Sequence, residues 1–177
     1  MILVVGLGNI GNRYAQTRHN IGFMIIDRLA AELGATWREE SKLKAFIATA
    51  ELDGKKLILI KPTTLMNNSG QAVQRVVQLY KLSPADVWAI FDDLDTDFGQ
   101  RRVRLGGSAG GHQGVSSMIR HIGSDFHRLR IGISMNDRAA EPSEVYVLRA
   151  FNPAEQAKLP VVIAAATEQL KQLLLAS

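Results

Sequence analysis

The sequence predicts an α/β fold: a single domain built on a mixed, twisted sheet with helices covering both faces. Three features carry that reading. Apolar β-branched runs alternate with helical patterns, an Asp53-Gly54 pair between two such runs marks an antiparallel hairpin, and the chain has no linker, repeat or low-complexity tract. A chain of 177 residues buries roughly two thirds of its unfolded surface around one core, so residues 1–177 are expected to form one domain.

Residues 2–5 are an apolar run stopped by Gly6, which reads as a buried strand. Over 21–33, Ile21, Met24, Ile25, Leu29 and Leu33 recur at three-to-four spacing and Gly34 follows, the pattern of an amphipathic helix with a glycine stop. Residues 45–52 and 56–60 are the hairpin arms. A second helical pattern runs over 67–82 through Ala72, Val73, Val76, Val77 and Tyr80. A strand is expected over 87–91, ending at an acidic cluster, and another over 101–105. A glycine-rich loop over 106–114, a helix over 114–122 and a strand over 129–133 follow. The closing helix, 153–175, contains Pro160 as a point of interruption. Ligands of such sheets bind beyond the carboxyl ends of the strands, which singles out the segments 6–9 and 92–95.

With 46% hydrophobic and 21% charged residues, the composition is that of a globular protein and excludes disordered and collagen-like classes. The lack of cysteine excludes disulfides, thiolate zinc sites and a Cys nucleophile, and the histidines show no close ligand pairing. No secretion signal or run of about 18 apolar residues is read, so a cytoplasmic, metal-independent protein without cofactor or membrane is expected. The net charge of +4 is unevenly distributed: from 101 to 130, six arginines and three histidines face the single acid Asp125. That distribution points to a polyanionic partner.

In the segment GLGNIGNRYAQTRHN, residues 6–20, Gly6, Gly8 and Gly11 have the spacing of a dinucleotide-binding loop. Such a loop should open directly into a helix and find an acid at the end of the next strand, whereas Asp27 falls inside a helical pattern. The same segment is dense in polar groups: Asn9, Tyr14, Arg18, His19 and Asn20. Together with KPTTLMNNSG (61–70), FDDLD (91–95), GGSAGGHQG (106–114) and FHRLRIGIS (126–134), in this order, it resembles the bacterial peptidyl-tRNA hydrolases from residue 2 to about 150.

That resemblance implies hydrolysis of the ester between a peptide and the 3′ end of tRNA, by a monomer that takes peptidyl-tRNA and holds its acceptor stem. His19 matches the family's base, an imidazole able to take a proton from water near neutral pH. Asp92 matches the acid that orients it, while Asp93 and Asp95 read as turn or solvated acids. Asn9, Asn67 and Gln113 supply amides for peptide and water, with Tyr14 beside them and Met66 as an adaptable apolar wall. Arg102, Arg104 and Arg130 match basic positions facing tRNA phosphate. The loop 106–114 lacks the Lys-Ser/Thr ending of a phosphate loop and reads as a lid.

The chain departs from the family pattern at several points. Gln113 replaces an asparagine, Ile10 a proline, Phe91 a histidine and Ser134 a glycine, and the chain ends before the family's usual C-terminal segment. A positioning group displaced by about 1 Å can cost about a hundredfold in rate. These departures therefore leave an alternative: a weakly catalytic member acting as an RNA-binding module.

Overall fold

A computed structural model describes residues 1–135 and 141–177. The strands are β1 (Ile2–Gly6), β2 (Arg38–Glu40), β3 (Ala45–Leu52), β4 (Lys55–Pro62), β5 (Val87–Asp97), β6 (Arg101–Leu105) and β7 (His127–Ser134). The helices are α1 (Ile21–Glu32), α2 (Ser69–Tyr80), α3 (Gln113–Ile122), the single turn α4 (Ser143–Tyr146) and α5 (Pro153–Ala176). The strands form one mixed sheet in the order β2-β3-β4-β1-β5-β7-β6. The central strands β4, β1, β5 and β7 run parallel, and β2, β3 and β6 add antiparallel pairings toward the edges.

Period-two alternation divides the core between the two faces. Val4, Trp88, Ile90, Leu129 and Ile131 share one cluster with Ile25 and Leu29 of α1 and Leu170 and Leu174 of α5. Leu3, Val5, Ala89 and Phe91 share the other with Val73 and Val76 of α2 and Val115 and Met118 of α3. Each large side chain fully buried in this way contributes about 1.5–3 kcal/mol relative to exposure. The hairpin closes as expected: Asp53 and Gly54 both have positive φ, 47° and 81°, as a type I′ turn requires.

The fold differs from its sequence-based expectation in several places. β5 does not stop at residue 91 but runs through the acidic residues to Asp97, because β7 pairs alongside it with a bulge between Asp93 and Asp97. Asp93 stabilises that bulge, accepting from the Asp95 N–H at 3.0 Å and the Thr96 hydroxyl at 2.6 Å. Pro160 does not interrupt α5; it lies on the exposed side, where the Gln156 carbonyl it leaves without an N–H partner can meet water. β2 and α4 have no sequence signal, since three polar residues and a single turn carry no periodicity. Finally, α5 is long and apolar enough to cross a bilayer by length and composition, with mean hydropathy 1.2 over its most apolar stretch. It lays Leu159, Ala166, Leu170 and Leu174 into the core cluster shared with α1.

Close backbone approach sets the geometry above β1. A Cβ on Gly22 would lie 2.3 Å from the Ile90 carbonyl oxygen, so only glycine lets α1 begin this near β1 and β5. Gly8 serves the same packing, since a Cβ there would overlap the Phe23 ring. Two short 3₁₀ turns, Asn12–Tyr14 and Arg18–Asn20, separate this loop from α1. The glycines therefore do not open directly into a helix, as a dinucleotide loop requires.

Candidate active site

The segments that leave β1 and β4, the far end of β5 and the N-terminus of α3 converge on a cleft of about 550 Å³. Its lining includes Asn9, Tyr14, His19, Met66, Asn67, Asp92, Gln113 and Arg130, drawn from each of the motifs read in the sequence. Arg102 and Arg104 lie outside it, on the edge strand β6.

His19 sits in the 3₁₀ turn that feeds α1, with Asn20 at the helix start, and both are buried. Asn20 holds the preceding loop by both ends of its amide. Its Oδ1 accepts from the Asn9 N–H at 2.8 Å and its Nδ2 donates to the Asn9 carbonyl at 2.9 Å. Asn9 in turn accepts from the Met66 N–H through Oδ1 at 2.8 Å. Its amide nitrogen is therefore the end left to donate toward the cleft. Met66 is buried, Asn67 and Gln113 are exposed at the lip, and Tyr14 is half-buried with the Arg13 guanidinium over its ring.

At the centre lies Asp92, 3% exposed, with an imidazole on either side. His19 Nδ1 is 2.8 Å from Oδ2, and His112 Nε2 is 2.9 Å from Oδ1. A carboxylate only accepts, so each facing nitrogen carries a proton. His112 is fixed at its other end as well, because its Nδ1 accepts from the Val115 N–H at 3.3 Å at the start of α3. With Nδ1 protonated, neutral His19 presents the lone pair of Nε2, the tautomer a general base needs. Burial alone would raise the Asp92 pKa, but the electrostatic attraction and hydrogen bonds of the His19 and His112 imidazole N–H groups outweigh it and hold the carboxyl well below the usual range.

Sequence reasoning missed the roles of Asn20 and His112. The local signal for His112 is no more than a histidine among glycines just before a helix, and Phe91 packs edge-on against it at 4.9 Å. His19, Asp92 and His112 offer ligand-type atoms within 4.8 Å of one another, a grouping that histidine spacing along the chain does not reveal. Those atoms are engaged in the hydrogen bonds just described, and a metal ion at this point would have to displace both N–H protons.

The arginines divide into distinct roles. β6 and β7 pair Arg102 with Arg130 and Arg104 with Arg128, so all four belong to one face of this edge. Arg130 is paired with Asp93 at 3.1 Å. Arg128 is buried and donates to the Gly107, Ser108 and Ser124 carbonyls, pinning the start of the glycine-rich loop. Burial first, then Arg104 and Arg130, lower its pKa. Arg102 and Arg104 are exposed.

Sheet and site together place a carboxylate-oriented imidazole beside an open cleft in an α/β fold. The chain matches the family model described as peptidyl-tRNA hydrolase over residues 3–177, and it belongs to that family. It is 51% identical to a peptidyl-tRNA hydrolase of Lactiplantibacillus plantarum over 160 residues, spanning 89% of this chain and 84% of the relative. It is 41% identical to that of Mycobacterium tuberculosis over 174 residues, spanning 98% and 91% of the two chains. Its structure is similar to the crystal structure of peptidyl-tRNA hydrolase from Acinetobacter baumannii, with a TM-score of 0.92 and 36% identity, covering 99% of this chain and 89% of that one.

Proposed function

We propose that the chain hydrolyses peptidyl-tRNA by direct attack of water, with His19 as general base and Asp92 as the residue that orients it. The observation that carries this reading is the bond from His19 Nδ1 to Asp92 beside a cleft of about 550 Å³. Nε2 of His19 takes a proton from water as the water oxygen attacks the ester carbonyl. The tetrahedral intermediate then expels the ribose 3′ oxygen, which receives the proton from His19, leaving free tRNA and a peptide carboxylic acid that gives its remaining proton to solvent.

Asn9, Asn67 and Gln113 line the cleft with amides that suit the peptide backbone and the attacking water, while Tyr14 and Met66 form walls for variable side chains. The arginine face of β6 and β7 suits the acceptor stem and 3′ end of tRNA. Arg102, Arg104 and Arg130 would meet phosphates there without reading sequence. One chain supplies all these groups, which suits a monomer acting in the cytoplasm. Acid quench during turnover tests the chemistry. Direct attack leaves no peptide attached to the enzyme at any time, whereas a trapped covalent peptidyl-enzyme would contradict it.

A further inference from the structure

Arg18 and Glu155 are 137 residues apart, yet their side chains are only 6% and 0% exposed and pair as a fork. Arg18 Nε reaches Oε1 at 3.3 Å and Nη2 reaches Oε2 at 2.8 Å. Desolvation of such a pair can cancel its attraction, so its presence says little about stability by itself. What it holds is more informative. The Arg18 guanidinium lies over the Tyr146 ring at 4.2 Å and donates to the Tyr146 carbonyl at 3.4 Å. The backbone N–H groups of Arg18 and His19 donate to the carbonyls of Arg149 and Val147 at 3.0 and 2.8 Å. Glu155 also works locally, since its Oε2 accepts from the Asn152 N–H at 2.6 Å and completes the capping box that starts α5.

We propose that Arg18 and Glu155 are positioning residues for the hydrolysis. One carboxylate both starts α5 and fixes the turn that carries His19, so the imidazole and the cleft wall at Val147 and Leu148 share one frame. The fork matters as much as the charge, because a planar guanidinium makes both carboxylate contacts while stacking on Tyr146. This inference rests on His19 being the base.

The test uses the full chain as wild type, Arg18→Lys, the neutral double variant Arg18→Met with Glu155→Gln, and His19→Ala. In the double variant the introduced glutamine can still close the capping box and the introduced methionine keeps apolar contact with Tyr146, so no lone buried charge remains. Arg18→Lys keeps both charges and loses the fork. Single-turnover release of tRNA from N-acetylated aminoacyl-tRNA is measured well below each variant's melting temperature, alongside the downfield proton resonance of His19 Nδ1–H.

Both pair variants should fold and lose about tenfold or more in the saturated rate, with half-saturation changed by less than about threefold and the imidazole resonance shifted or lost. A merely structural pair would lower the melting temperature and leave the saturated rate and the resonance unchanged. Either folded variant at the wild-type rate, with His19→Ala inactive, overturns the positioning role. A His19→Ala protein that keeps its rate overturns the choice of base instead, a separate result.

Discussion

His112 Nε2 lies 2.9 Å from Asp92 Oδ1, so the carboxylate that receives His19 on one side is held by a second imidazole on the other. The second imidazole keeps Asp92 ionised and fixes its plane, and it stands at the start of α3 rather than on the sheet. Substitution His112→Ala should therefore lower turnover by about tenfold to a hundredfold, the worth of one hydrogen bond to a charged group at about 1.5–3 kcal/mol. Steady-state assays on the folded variant check this, and turnover equal to wild type would remove His112 from the network.

The depressed pKa of Asp92 gives a pH dependence with a definite sign. Because the folded value lies below that of the unfolded chain, about 3.9, the stabilisation is complete above the unfolded value and lost as pH falls through the folded one. The difference in unfolding free energy between wild type and Asp92→Asn should shrink as pH falls below about 4. Urea titrations across that range measure it. A difference that stayed level or grew as pH fell through about 4 would mean that the Asp92 carboxyl takes up its proton at or above the unfolded value.

The arginine face should respond residue by residue. Arg104→Ala removes an exposed cation, and the log-log salt slope of tRNA binding should fall by about one. Arg130→Ala should change the slope less, since Asp93 already pairs with Arg130. Equal slopes for wild type and Arg104→Ala, read from binding isotherms at several salt concentrations, would move the tRNA site elsewhere.

Gln113 and Phe91 do not need to touch to be coupled, because His112 packs against Phe91 and precedes Gln113 in the chain. Gln113→Asn should raise turnover if the longer side chain holds its amide off the productive position, with little effect on stability at an exposed site. Combined with Phe91→His, the change should differ from the sum of the separate effects. A double-mutant cycle that is additive in log turnover would dismiss the coupling.

The parts of this molecule legible in the sequence are those that local spacing determines. The Asp53-Gly54 hairpin, the α1 periodicity ended by Gly34, and the strand expected over 129–133, which spans His127–Ser134, all follow from neighbouring residues. His19 and Asp92 were reachable because each lies in a motif of its own, although nothing local states that their side chains meet. The Arg18–Glu155 pair and the His112–Asp92 bond arise from long-range convergence that no window of sequence contains. The extension of β5 through the acidic cluster was hidden for a different reason: polar residues normally end strands, and here a bulge and pairing with β7 outweigh that tendency.

Every other assignment at this site depends on His19 being the general base of an ester hydrolysis. The most direct test is single-turnover release of tRNA from N-acetylated aminoacyl-tRNA by purified wild-type and His19→Ala protein, both checked for folding and tRNA binding. Loss of the base should slow release by about 10² to 10⁴ while binding stays within a few-fold. A His19→Ala protein that binds tRNA and releases it within about tenfold of the wild-type rate would contradict the account.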